Sequence, residues 1–386
     1  MRVLVLAEYY PRAGDPTSGI WAHRQTIAAR DAGADVRVLV LHRPLPPLAS
    51  LRRLDARAIR AALAPQPPAA ELDGVPIQYL RYLSPPRPWS YASWGAWAAP
   101  VVRRALARVR EEFAFDLVHA HYAVPAGDAV RRAAPDAPLL VSVHGGDVHG
   151  PHAQAPTVKA TLEHAALVLA NSAGTARRCA ERGARATRVV HLGADLSAPG
   201  VRPATPALVS VGNLVARKRH ADVVQALGIL RDRRPDLRYE IVGDGPERER
   251  LAALAGALGV QDRVRLLGRL PPDEAAAAAR RASLFVLPSV SEAFGVAYIE
   301  AMAGGVPAIG CRGEDGPEEI AAAGDGIELV EPGSPHELAE VIDRLLGDPL
   351  RLQALGEAAR ETVVREFTWE RCGAETVRAY RDLLGR

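Results

Sequence analysis

Short apolar runs alternate with stretches of helical spacing along the whole chain. In the first half, strand-like runs fall at Val3–Ala7, Val36–Leu41, Leu117–Ala120, Leu139–Val143, Leu167–Ala170 and Val189–His191. Between them, apolar residues recur with helical period around Trp21–Ala32, Trp97–Phe113, Thr157–His164 and Gly174–Arg182. The second half repeats the theme, with strands predicted at Leu208–Val211, Tyr239–Val242, Val264–Leu267, Leu284–Leu287, Ala308–Ile309 and Ile327–Val330. Its helices are predicted at Ala221–Arg233, Arg248–Leu258, Asp273–Arg281 and Pro335–Leu346, with an amphipathic tail from Thr368 to Arg386. Runs that are apolar at successive positions suit strands buried on both faces, so the alternation predicts an α/β protein with doubly wound parallel sheets. A chain of 386 residues exceeds one ordinary core. The stretch from Gly193 to Leu208, rich in Pro, Gly and Ala, reads as a linker. We therefore expect two Rossmann-like domains facing across a cleft. Residues 1–195 form the first, completed by a C-terminal helix at about 370–386, and residues 206–369 form the second. Ligands in such sheets belong at the C-terminal ends of the strands.

Composition narrows this picture. No apolar run reaches the length of a membrane-spanning helix, and the N-terminus enters a strand directly, without the pattern of a secretory signal. Cys179, Cys311 and Cys372 are odd in number and far apart, which is neither a disulfide framework nor a metal spacing and fits a reducing cytoplasm. The net charge of +3 hides an asymmetry. Residues 1–200 hold 24 basic and 16 acidic side chains, and the remainder 24 and 29. A basic first half suggests an anionic partner there; the plain alternative is attraction between the halves. The segments PLASLRRLDARAIRAAL and PWSYASWGAWAAPVVRRALARVR combine arginines with Trp89, Tyr91, Trp94 and Trp97, which favours peripheral contact with an anionic membrane surface on its inner face. Their plain alternative is a helix face packed on the sheet. The Pro/Ala-rich patch from about Ala62 to Ala70 is the one low-complexity tract.

The segment SVSEAFGVAYIE, Ser289 to Glu300, follows an apolar run and opens a helix. Glu292 falls in the loop and Glu300 in the helix, flanking Phe294 and Gly295. A helix start gathers backbone N–H groups that favour phosphate, and carboxylates accept hydrogen bonds from vicinal hydroxyls, so the segment suits a sugar diphosphate. VGNLVARKRH places Gly212, Asn213, Arg217 and Lys218 in another strand-to-helix loop, where two cations can neutralise a diphosphate without Mg²⁺. VGDGPERERL begins like a dinucleotide fingerprint but has Arg248 where a third glycine belongs, so Gly243 reads as a tight turn lining a nucleotide pocket. In LLGRLPPDE, Leu270 offers apolar surface to a base. In the first half Gly19 opens a helix after the first strand, and His144 follows a strand beside Gly145 and Gly146, placed to bond a sugar hydroxyl or exchange protons. Nine of eleven histidines precede residue 200, so most are structural. For His121 the packed reading is favoured, with acceptor contact as the alternative. Asp147 and His149 invite a metal reading that their spacing does not support.

These blocks together resemble the retaining nucleotide-sugar glycosyltransferases of family 4, of GT-B fold, from end to end. VGNLVARK, VGDGPERERL, LLGRLPPDE and LPSVSEAFGVAYIEAMAGGVPAI follow in the family's order, with Glu292 and Glu300 as its Glu-x7-Glu signature. The resemblance implies that Arg217 and Lys218 hold the diphosphate, that Glu292 contacts the donor sugar, and that Phe294 and Gly295 give backbone contacts. It further implies that Glu300 binds the ribose, that Leu270 borders the base, that Gly19 approaches the phosphate and that His144 bonds the sugar. It implies a hexosyl- or N-acetylhexosaminyltransferase that takes a UDP- or GDP-sugar to a lipid-linked or cell-envelope glycan, by a front-face route with no cofactor and no metal. No nucleic-acid partner is expected, and the location expected is cytoplasmic.

The chain departs from the pattern at Asn213, where an arginine is usual, at Ser18 and at Ala293, both glycines in the family. The rival functions are a GT-B nucleotide-sugar 2-epimerase and a catalytically weak donor-binding subunit. A phosphorylase needs a cofactor lysine, and Lys159 and Lys218 are the only lysines. A nicotinamide enzyme lacks its opening glycine motif.

Overall fold

A computed structural model of the chain describes residues 1–46, 48–196, 198, 200 and 205–386. Residues 197, 199 and 201–204 of the expected linker, and Pro47 in the first arginine-rich segment, lie outside the described residues. The chain divides into two compact units, Met1–Leu192 with Trp369–Arg386, and Gly193–Thr368.

The first unit holds β1 (Arg2–Ala7), β2 (Asp35–His42), β3 (Ala69–Leu72), β4 (Val75–Arg81), β5 (Leu117–His121), β6 (Leu139–Val143), β7 (Leu167–Ala170) and β8 (Thr187–Val189). Their order in the sheet is β3-β4-β2-β1-β5-β6-β7-β8, with β3 antiparallel to β4 and the other described pairings parallel. Every residue of β1 after Arg2 is buried, because both faces of the sheet are covered. Leu4 and Leu6 pack on one side with Val102 and Leu106 of the helix Trp94–Glu112. Val3 and Val5 pack on the other with Ala22, Val377 and Tyr380. Each fully buried Leu or Val is worth roughly 1.5–3 kcal/mol. The helix Trp369–Leu384 belongs to this unit. Gly373 lets it touch the helix Ile20–Asp31, since a Cβ there would lie 2.1 Å from the Ala28 carbonyl oxygen, and Gln25 Nε2 donates to Thr376 Oγ1 at 3.1 Å.

One feature is added to the expected elements here and one is shifted. The patch from Ala62 to Ala70 runs into a hairpin, β3–β4, turned by Asp73 and Gly74 with φ of 50° and 74°. Positive φ at both central residues is the mirror-image turn that matches strand twist. The last strand, β8, begins two residues before the expected Val189–His191 and ends where that run begins.

The second unit holds β9 (Ala207–Val211), β10 (Arg238–Val242), β11 (Val264–Gly268), β12 (Leu284–Val286), β13 (Ala308–Cys311) and β14 (Ile327–Val330), ordered β11-β10-β9-β12-β13-β14 and all parallel. Chain direction across each sheet reverses once, between β1 and β5 and between β9 and β12. These reversals are the switch points beyond which ligands of open α/β sheets sit. The helix His220–Ile229 ends four residues short of the expected Arg233. An 18-residue helix, Pro349–Glu366, escaped the periodicity reading; Asp348 caps it by accepting from Arg351 N at 2.9 Å.

Candidate functional site

In the second unit the loops after β9 and β12 meet at the switch point. Lys218 Nζ donates to Glu292 Oε2 at 2.5 Å, and Arg217 Nη1 stands 3.6 Å from the same oxygen. Ser289 Oγ also donates to it at 2.9 Å. The Glu292 and Lys218 side chains are nearly buried, at 10% and 12% exposure, whereas Arg217 is 48% exposed. Burial opposes the charge on Glu292, yet the Lys218 ammonium, then Arg217 and the Ser289 hydroxyl, hold its carboxyl below the usual range. The arrangement is a carboxylate fixed by cations, with one guanidinium still open to solvent.

Backbone geometry builds this loop. Gly295 caps the helix Val296–Ala303 at φ 88°, and a Cβ there would lie 2.4 Å from the Tyr298 ring. Tyr298 Oη meets Ser289 Oγ at 3.2 Å and donates to the Leu287 carbonyl. Glu314 Oε2 accepts from Glu292 N at 2.9 Å; burial pushes this carboxyl up, against the backbone bonds that lower it. Gly316 lies so close to the Phe294 backbone that a Cβ would come within 2.0 Å of its carbonyl oxygen. The Phe294 side chain is core, packed edge-on against Phe367 at 5.6 Å. Glu300 is exposed on the helix, as is Asn213 in its loop, and Leu270 is half-buried. The glycine that sterics demand is Gly243 rather than Gly212. A Cβ on Gly243 would lie 1.9 Å from the Gly212 carbonyl oxygen, whereas one on Gly212 would meet Lys218 Cε at 3.8 Å.

In the first unit the corresponding strand ends gather neutral rings. His119, at the centre of β5, bonds Tyr380 Oη and Ser142 Oγ, each at 2.7 Å. His121 stacks on His119 at 4.5 Å, and its Nδ1 meets His144 Nε2 at 3.2 Å. Burial holds the imidazoles of His119 and His144 down to about 3, and drives that of His121 well below its usual value. His144 is thus a neutral hydrogen-bonding group at physiological pH. The sequence also allowed it proton exchange, for which burial disfavours the imidazolium form. His121 has no accessible surface, so its contacts are His119 and His144, and the acceptor role offered for it does not follow from its position. Asp147 accepts from His144 N and Ala123 N, both at 3.0 Å, and burial raises its carboxyl to about 7. Gly19, at φ 61°, opens the helix Ile20–Asp31; a Cβ would fall 2.1 Å from the Tyr9 carbonyl oxygen.

The aromatic segment divides. Tyr91 and Trp94 are core residues, packed edge-on at 5.2 Å, whereas Trp89 and Trp97 are exposed. Sequence reasoning missed Ser289, Tyr298 and Glu314. Ser289 and Tyr298 lie inside the Glu-rich motif, where their hydroxyls were the available signal. Glu314 carries no local signal, since the loop after β13 brings it in.

The description "Glycosyltransferase Family 4" fits residues 18–198, and "Glycosyl transferases group 1" fits residues 197–362. The chain is 28% identical over 325 residues to the 2-deoxystreptamine glucosyltransferase of Streptomyces kanamyceticus, covering 75% of this chain and 83% of that protein. It is 35% identical over 185 residues to the N-acetyl-alpha-D-glucosaminyl L-malate synthase of Bacillus anthracis, 48% of each. It is 32% identical over 176 residues to a GDP-mannose-dependent alpha-(1-6)-phosphatidylinositol monomannoside mannosyltransferase of Mycolicibacterium smegmatis, 44% of this chain and 46% of that. Most curated relatives are thus matched over less than half their length, and an exopolysaccharide phosphotransferase of Streptomyces coelicolor over 17%. Among solved structures, sucrose-phosphate synthase from Thermosynechococcus elongatus superposes with a TM-score of 0.79 at 23% identity over 100% of both chains. Anabaena HepE in complex with UDP and glucose superposes at 0.71 and 21% identity, over 99% of this chain and 100% of that one.

Proposed function

Because the chain belongs to the glycosyltransferases of family 4 and group 1 and has their GT-B fold, we propose that it moves a sugar, with retention, from a UDP- or GDP-sugar to a lipid-linked or cell-envelope glycan. The observation that carries this reading is the Lys218–Glu292 pair, with Arg217 beside it, at the β9/β12 switch point. Lys218 and Arg217 would grip the donor diphosphate. As the bond from the anomeric carbon to the phosphate oxygen breaks, negative charge grows on that oxygen, and preplaced cations stabilise it more than they stabilise the ground state. The acceptor oxygen bonds to the same face of the anomeric carbon, and its proton passes to the departing phosphate. These fixed cations fill the part that Mg²⁺ plays in other sugar transfers, so the reaction needs no metal. Glu292 would accept hydrogen bonds from the donor sugar, Glu300 from the ribose, and His144, being neutral, would serve a sugar hydroxyl as hydrogen-bond partner. Both donor types find support in relatives, one named for GDP-mannose and another solved with UDP.

A thermal-shift panel over UDP-, GDP- and ADP-sugars tests the donor. A UDP- or GDP-sugar should stabilise the protein, and Lys218→Ala should remove the shift. A panel without any shift would end the proposal. We further propose that the first unit rests on anionic lipid. Leu51, Leu54, Leu63, Trp89 and Trp97 are exposed there, interleaved with Arg52, Arg53, Arg57 and Arg60, while among the described residues no helix is long and apolar enough to cross a membrane. Flotation without preference for anionic liposomes would remove this part.

A further inference from the structure

Resting on the glycosyltransferase reading, we infer that Glu314 is a positioning residue for the donor sugar: its carboxylate, bonded to the backbone of the loop after β12, keeps Glu292 aimed once the donor diphosphate has drawn Lys218 and Arg217 away. The Glu292 carboxylate is held by Lys218, with Arg217 and the Ser289 hydroxyl beside it. The first two are the cations assigned to the diphosphate. A bond they give to phosphate is one they withdraw from Glu292. A contact group stays in productive reach only if hydrogen bonds behind it lock its place, so a restraint that survives donor binding must come from elsewhere.

The loop after β13 supplies that restraint. β13 lies beside β12, and Glu314, three residues past its end, stands at the N-cap of the helix Asp315–Ala323. A side chain at that position ordinarily accepts from the first turn of its own helix. Glu314 makes no such bond. Its Oε2 accepts instead from Glu292 N at 2.9 Å, and the Ser291 N–H bonds the same carboxylate. Gly316 N, in the first turn of that helix, donates to the Glu292 carbonyl at 3.1 Å. Both main-chain polar groups of Glu292 are thus tied to one helix start. None of these bonds uses the Glu292 carboxylate, so the grip does not depend on what that carboxylate holds. The backbone also needs it. Ser291 has φ 55°, a left-handed value that glycine takes freely and serine takes only at a cost. The two amides on Glu314 belong to this residue and the next, so charge-assisted bonds stabilise the turn where it is strained.

Calorimetry on the whole chain would compare UDP with UDP-glucose, and GDP with GDP-mannose, in the wild type, Glu314→Ala, Glu314→Gln and Lys218→Ala. The bare nucleotide meets the cations and should bind Glu314→Ala as it binds the wild type. The ratio of sugar-nucleotide to nucleotide affinity should fall about tenfold in Glu314→Ala, the worth of one hydrogen bond to a charged group. Glu314→Gln keeps an acceptor oxygen and should recover part of that ratio. Lys218→Ala should weaken nucleotide and sugar nucleotide alike. In the free chain, hydrogen exchange over residues 289–295, read by mass spectrometry, should quicken in Glu314→Ala. A ratio unchanged in Glu314→Ala would overturn the inference. A loss shared equally by nucleotide and sugar nucleotide would do so too, as it marks a general loosening of the unit, and so would a glutamine no better than alanine. The two ideas fail differently: if no nucleotide or nucleotide sugar binds the wild type, the donor reading falls and takes this role with it, whereas binding with an unmoved ratio leaves the donor reading standing and removes Glu314 alone.

Discussion

The two units place opposite kinds of polar group at equivalent strand ends. The second sets full charges against each other, Lys218 and Arg217 on Glu292, and leaves Arg217 half open to water. The first stacks imidazoles that burial keeps neutral, His119, His121 and His144. A charged cluster can follow the charge that grows on a leaving group, and it requires each partner to be present. A neutral stack does neither; it offers directional hydrogen bonds and is sensitive to protons. The difference teaches that one fold, used twice, can supply electrostatic work in one copy and shape in the other.

Removing a partner from the charged cluster should have the largest effect. Lys218→Ala leaves the Glu292 carboxylate with Arg217 at 3.6 Å and Ser289 alone. Losing one partner of a nearly buried pair costs about 3–5 kcal/mol, and losing a preplaced charge slows transfer by roughly a hundredfold or more. Adding Glu292→Gln should recover stability, read by circular dichroism, without recovering turnover.

Acid should attack the other member of the comparison. The folded pKa values of His119 and His144 lie at about 3, below the ordinary 6.5 of the unfolded chain. Below pH 6.5 the unfolded chain therefore binds more protons, and stability falls as pH drops from there toward 3. Asp147, raised to about 7, has the opposite sign: its contribution is present below its ordinary 3.8 and is lost as pH rises through 7. All five tryptophans lie in the first unit. Tryptophan emission should change on acidification, and an emission that stays constant from pH 7 to 4 would contradict the neutral stack.

Gly295→Ala brings a Cβ 2.4 Å from the Tyr298 ring at φ 88°. Denaturation should show a loss of about 1–3 kcal/mol, with weaker donor binding. The smallest effect is expected at Arg217, whose exposure subjects it to screening. Arg217→Ala should weaken donor affinity by roughly a few-fold at low salt, and the gap from wild type should close as salt rises.

Much of this was legible before any coordinates. Fully apolar runs such as Leu139–Val143 announce buried parallel strands, and Glu292, Lys218 and Gly295 sit in loops that follow such runs. What escaped depends on contacts distant in sequence or on small turns. Glu314 reaches Glu292 across 22 positions, and Tyr380 reaches His119 across 261. The β3–β4 hairpin was masked by surrounding alanines and prolines, although Asp73-Gly74 marked its turn. Burial also divided the aromatic segment, where Tyr91 and Trp94 are core rather than surface, and it agrees with the packed reading favoured for His121.

The helix Trp369–Leu384 has a consequence for how the molecule comes into being. It supplies Tyr380 and Val377 to the core that β1 begins, so β1 leaves the ribosome long before the helix that completes its core. Residues 193–368 emerge in between with all their own strands in hand, so the later-made half can mature before the earlier one. A nascent chain stalled ahead of Trp369 would hold a finished second half and a first half with one wall of its interior still open to water.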